Sequence, residues 1–141
     1  MRARLLILMG MMGFLLADVG RAAELAVIVH RSNKDQLSLN DVKRIYLGKK
    51  KKFASVGRIK PADFTKGTQL RATFYEKVTG RSAKAVDTYW YRLVFTGKGV
   101  PPKSFSGSDG VLDYVASNEG AIGYVEAARV KGNVRIVLKI K

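Results

Sequence analysis

Residues 24–29, Glu24-Leu25-Ala26-Val27-Ile28-Val29, form a nearly continuous apolar run. A strand with one wet face alternates apolar and polar residues. A run without alternation reads instead as a strand buried on both faces, which needs packing on each side. The rest of the chain offers that packing. Ser38 is placed to cap a helix whose Leu39, Val42, Ile45 and Tyr46 share a stripe, and Gly48 ends it. Lys49–Lys52 reads as an exposed loop, and Ser55–Lys60 as a weaker strand closed by Pro61. Gly67-Thr68 opens a second helix, with Leu70, Phe74 and Val78 on one face and Gly80 as its stop. Ser82 caps a third, in which Val86, Tyr89, Trp90, Leu93 and Val94 keep helical spacing. A loop from Gly97 to Gly107 carries Pro101-Pro102. Ser108-Asp109 caps a fourth helix with Val111, Leu112 and Val115 inward, and Asn118-Glu119-Gly120 turns it into a strand at Ala121–Val125. Val134–Ile140 alternates like a final, more exposed strand. The order β-α-β-α-α-α-β-β points to one α/β layered domain.

The residue inventory excludes much chemistry. With 141 residues there is room for one domain. No cysteine means no disulfide frame, thiolate zinc site or cysteine nucleophile, and the single His30 leaves no multi-histidine metal set. No nucleophile–base pair can be assembled, so the expectation is a non-enzymatic protein without a metal or cofactor. At the N-terminus Arg2 and Arg4 precede the apolar stretch Leu5–Ala17, and Gly20-Arg21-Ala22-Ala23 supplies small residues for cleavage. That is the pattern of a signal peptide over residues 1–23, too short for a membrane span of about 20 apolar residues. The expected product is a single domain over residues 24–141, periplasmic or secreted.

The segments AVIVHRSN, LSLNDVKRIYLGKKKKF, KPADFTKGTQLRATFYEKV, FTGKGVPP and VLDYVASNEGAIGYVE, in that order, carry a resemblance. Together they resemble the PstS-like periplasmic phosphate-binding proteins, and specifically the second lobe of these two-lobed substrate-binding components of phosphate ABC transporters. The most specific pieces are Ile45–Lys49 and Asn118–Tyr124. The resemblance implies a single three-layer lobe of the periplasmic-binding-protein type, with a mixed sheet flanked by about four helices. It also implies a ligand, inorganic phosphate or a similar oxyanion, and a transporter permease as partner. In that family a loop of the form R-x-D-x-S-G-T supplies an arginine, a hydroxyl and backbone amides. Here Gly67-Thr68 matches its end, Lys66 stands at the serine and Ala62 at the arginine. Lys60, Lys66 or Arg71 is left to substitute as a point charge, but a lysine does not reproduce the guanidinium fork.

The candidate ligand residues are accordingly Thr65, Lys66, Gly67, Thr68 and Arg71, with Ser32 as a secondary contact where a strand's carboxyl end meets a loop. Lys66–Thr68 also reads more plainly as an ordinary helix cap beside a surface lysine. His30 is expected to be a strand-end hydrogen-bond partner, and Trp90, Tyr89 and Phe74 to pack between helices rather than to stack on a sugar or base. Asp109, Asp113 and Glu119 form no catalytic carboxylate pair. Lysines and arginines exceed acids by 26 to 11, a net charge of +15, with acid-free stretches over residues 43–60 and from Arg129 onward. Such a surface is either a solvated face or a collector of anions: phosphate, lipid headgroups, lipopolysaccharide or DNA. A specific nucleic-acid reader is not expected, because the aromatics that stacking needs sit on helical stripes. Two functions stay open: an exported oxyanion-binding domain, or a ligand-free interaction module whose basic face docks an acidic protein partner or the anionic envelope surface.

Overall fold

The computed structural model describes residues 23–141. Apart from Ala23, the expected leader lies outside the described residues. A five-stranded mixed sheet has the order β5-β4-β6-β1-β7, formed by Lys103–Phe105, Lys60–Phe64, Ala121–Glu126, Leu25–His30 and Val134–Ile140. A small separate hairpin pairs β2 (Lys52–Phe53) with β3 (Gly57–Arg58). The helices are α1 (Leu39–Tyr46), α2 (Gln69–Thr79), α3 (Ala83–Phe95) and α4 (Ser108–Ser117). Among the described residues no helix is long and apolar enough to cross a membrane.

The apolar run behaves as its lack of alternation demands. Leu25 to Val29 of β1 are wholly buried, with β6 and β7 antiparallel on either side. Helix α4 covers one face of the sheet. There a Cβ on Gly123 would stand 2.6 Å from Val111 Cγ1, so the glycine lets the helix settle onto β6. Tyr124, the next residue, points to the other face and stacks on Phe74 of α2 at 3.7 Å between ring centres, with Tyr46 of α1 edge-on at 5.9 Å. Helix α3 lies outside α1 and α2. Its Trp90 Nε1 donates to Tyr46 O at 3.1 Å and its Tyr89 hydroxyl to Leu47 O at 2.6 Å, so these aromatics do pack between helices.

Local expectations fail where pairing overrides pattern. The strand expected at Ser55–Lys60 is split: Gly57–Arg58 forms β3 of the hairpin, while the sheet strand β4 begins at Lys60 with Pro61 inside it. Proline is tolerated at a strand's beginning, and the ladder is held there by Lys60 N donating to Gly120 O at 2.8 Å. The Gly97–Gly107 loop contains β5, a short parallel edge strand beside Ala62–Phe64. Gly107 rather than Ser108-Asp109 is the cap of α4, and Val94 of α3 faces outward.

Candidate anion-binding site

Strand β4 ends at Phe64, and residues 65–68 turn the chain into α2. Thr65 N donates to Phe105 O at 3.0 Å, fixing the turn to the edge strand. Gly67 has φ +86°, a left-handed conformation that side chains resist. Thr68 is the N-cap residue, yet its hydroxyl makes no capping bond: it donates backward to Thr65 O at 2.6 Å. In α1 and α3 the cap serines accept from the backbone of Asp41 and Ala85, each at 3.1 Å. Among the four helices, α2 alone lacks both a side-chain cap and an acid in its first turn. Its first amides therefore carry the partial positive charge of a helix start with no cap or first-turn acid to offset it. Lys66 lies beside this start, its ammonium 4.3 Å above the Tyr91 ring and donating to the Tyr91 hydroxyl.

Beneath the loop lies a carboxylate that the sequence reading did not single out. Asp63 is buried and accepts four hydrogen bonds. Phe64 N (2.8 Å) and the Tyr124 hydroxyl reach Oδ1, and the Tyr75 hydroxyl (2.6 Å) and Arg71 Nε (3.3 Å) reach Oδ2. That is the full satisfaction a buried carboxylate requires. Burial, reinforced by the Asp63 charge, raises the pKa of Tyr75 and Tyr124 above the ordinary tyrosine value, so both stay neutral donors. Arg71 bridges Asp63 to Asp87, with Nη2 2.6 Å from Asp87 Oδ1. Burial opposes its charge, but the Asp87 hydrogen bond and the Asp63 field outweigh that and hold the guanidinium protonated. The one sign available earlier was an acid within an apolar strand just ahead of a glycine turn.

Asp63, Lys66, Arg71 and Asp87 line a cleft of about 270 Å³, walled by Trp90, Tyr91, Val94, Pro101, Pro102 and Ser104. Its two cations and two carboxylates balance. Among the described residues Arg71 Nη1 has no protein partner, so that edge of the fork is left for the cleft. Thr65, Lys66, Gly67, Thr68 and Arg71 are thus brought together. Ser32 is not. Strand β1 runs antiparallel to β6 and β4 parallel to it, so the carboxyl end of β1 lies at the opposite end of the sheet from residue 65. There the Ser32 hydroxyl meets His30 Nδ1 at 2.7 Å, the strand-end bond expected of that histidine. Ala62, at the lost arginine's position, is fully buried with its Cβ on the α4 side, near Gly123, where a guanidinium has no room.

No protein-family model and no curated protein matches the chain. Solved structures do. A phosphate ABC transporter substrate-binding protein from Clostridium perfringens, solved with bound phosphate, is 27% identical with a TM-score of 0.65, over 82% of this chain and 45% of that one. This chain has the fold of one lobe of such a protein. An ABC-type phosphate transport receptor from Vibrio cholerae, 16% identical, gives a TM-score of 0.64 over 82% of this chain and 46% of that one, and shows the fold alone. The chain spans less than half the length of these two neighbours.

Proposed function

We propose that the chain is an exported, non-enzymatic domain that binds phosphate or a similar oxyanion at the start of α2, in the manner of a transport component that delivers its ligand to a permease. The observation that carries this reading is the uncapped, acid-free first turn of α2, set on a left-handed glycine in the fold of a phosphate-binding lobe. An anion there accepts from the first-turn amides and completes the missing cap. Thr68 turns its hydroxyl from Thr65 O to the ligand, Lys66 swings from Tyr91, and Arg71 Nη1 adds a donor fixed by its two carboxylates. Asp87 supplies selectivity: a protonated phosphate oxygen donates to a carboxylate, whereas fully ionised sulfate has no proton to give. Water reaches one side of a single-lobe site, so the charges are screened and affinity is modest beside a closed two-lobed binder.

Calorimetric titration with phosphate, with sulfate as competitor, tests this at low and moderate salt. Saturable binding that survives moderate salt and prefers phosphate is expected, and Lys66→Ala with Thr68→Ala removes it. Heat that salt abolishes for both anions alike would leave the lobe as a ligand-free interaction scaffold.

A further inference from the structure

Helix α3 buries Val86 and Trp90 and turns its other face to solvent. On that face and the turn beyond it, Phe95 is 92% exposed, Val100 81%, Tyr91 63% and Val94 49%. Only Leu39 and Ile136 among the described residues are exposed large apolar side chains elsewhere. Tyr91, Val94 and Phe95 share one shallow hollow, and Tyr91 and Val94 share the next with Pro101 and Pro102, where Asp63 and Asp87 are paired with Arg71; Val100 lines a neighbouring groove. Scattered apolar residues on a surface need no explanation, but a continuous patch marks a surface that something covers.

Charge identifies the cover. No acid occurs between Asp87 and Asp109, while Arg92, Lys98 and Lys103 fall in that interval. Beside the end of α3, a groove of about 320 Å³ adds Lys50, Lys51 and Arg58 to Lys98, again without an acid. A second copy of the chain would bring these cations face to face. An extended peptide wants a groove of apolar pockets or a free strand edge, and the patch is an open helix end.

We propose that the end of α3 and its following turn, Tyr91 to Pro102, dock onto an anionic phospholipid bilayer. Phe95, Val94 and Val100 enter the boundary between headgroups and acyl chains, the Tyr91 hydroxyl stays at headgroup level, and Lys98, Arg92 and the grooved cations lie against lipid phosphates. This goes beyond the oxyanion reading and does not rest on it; the two surfaces meet at Tyr91, which Lys66 covers and which walls the cleft.

The test is co-sedimentation of the exported chain, its N-terminus fixed by mass spectrometry, with vesicles of phosphatidylcholine alone or mixed with phosphatidylglycerol. Binding to the mixed vesicles only is expected, weakening as salt rises. Phe95→Ser lowers partitioning about tenfold, and Lys98→Gln about fivefold, as for one cation near an anionic surface. Phe95→Trp gains a blue-shifted emission on mixed vesicles that the parent, with Trp90 alone, does not show. Thr68→Asp, which closes the start of α2 without touching Tyr91, binds vesicles like the parent even where it has lost phosphate, so the two readings fail separately. Equal binding to neutral vesicles, no binding, or an unaffected Phe95→Ser variant overturns the proposal. So does self-association, or capture by polyglutamate, that Phe95→Ser removes without any vesicle binding.

Discussion

The loops that leave β1 and β4 stand at opposite ends of the sheet and treat their polar groups in opposite ways. After β1, most groups are committed to the protein, although the buried Asn33 Nδ2 has no partner among the described residues. Asn33 Oδ1 accepts from Asp35 N at 2.9 Å, and Asp35 accepts from Ala54 N and Ser55 N at 2.8 and 2.9 Å. Arg135 holds the carbonyls of Asn33 and Asp35, and Ser38 with Asp41 closes a capping box on α1. After β4, Thr65 N is bound to Phe105 O and Thr68 N to Thr65 O, but the first-turn amides of α2 beyond them are left without a side-chain cap. A strand-exit loop that satisfies itself is a structural joint; one that leaves its donors open, over a rigid carboxylate, is a seat for something else.

The largest expected effect comes from the buried joint under the seat. Asp63→Ala strands the Tyr75 and Tyr124 hydroxyls without their acceptor, leaves Arg71 held by Asp87 alone, and should cost about 3–5 kcal/mol, as breaking a buried ion pair does; urea denaturation measures it, and a loss below about 1 kcal/mol would mean the four bonds do not form. Next is the seat itself. Thr68→Asp places a carboxylate on the bare first turn, so stability should rise by about 0.5–1 kcal/mol while calorimetric phosphate binding disappears. Ser82→Ala makes the opposite trade. It should cost about 1 kcal/mol of stability and leave phosphate affinity as it was; a matched loss of affinity would erase the distinction between the two kinds of helix start. The smallest effect belongs to the first loop. Burial opposes the charge of Asp35, but hydrogen bonds from Ser55 and the Ala54 and Ser55 amides prevail and lower its pKa below 3.8. The folded value is thus depressed relative to the unfolded one. Its stabilisation is complete above about pH 4 and is lost as pH falls through the folded value. Asp35→Asn should flatten stability against pH in that acid window, and an unchanged slope would remove the residue from the joint.

What the residues disclosed in advance follows from range. β1, the starts of α1 and α3, and the left-handed stop at Gly80 are fixed by neighbours a few positions away, and they stand where pattern puts them. β5 has no signal of its own; it exists because Ala62–Phe64 offers it a ladder. The turn at Lys66–Thr68 was legible from its glycine and threonine. The role of Arg71 was not, since Asp63 and Asp87, eight residues before it and sixteen after, decide where its guanidinium points. Ser32 was misplaced because the carboxyl-end rule presumes parallel strands, and strand direction is set by pairing across the whole chain.

That pairing has a consequence in time. β1 is made early, yet its two partners are β6 and β7, and Arg135 reaches back 102 residues to Asn33. Contacts of such separation wait on loop closure and form late. A ribosome that has produced the first three helices has therefore produced no core strand with both neighbours present. The sheet's earliest strand is completed only by its latest.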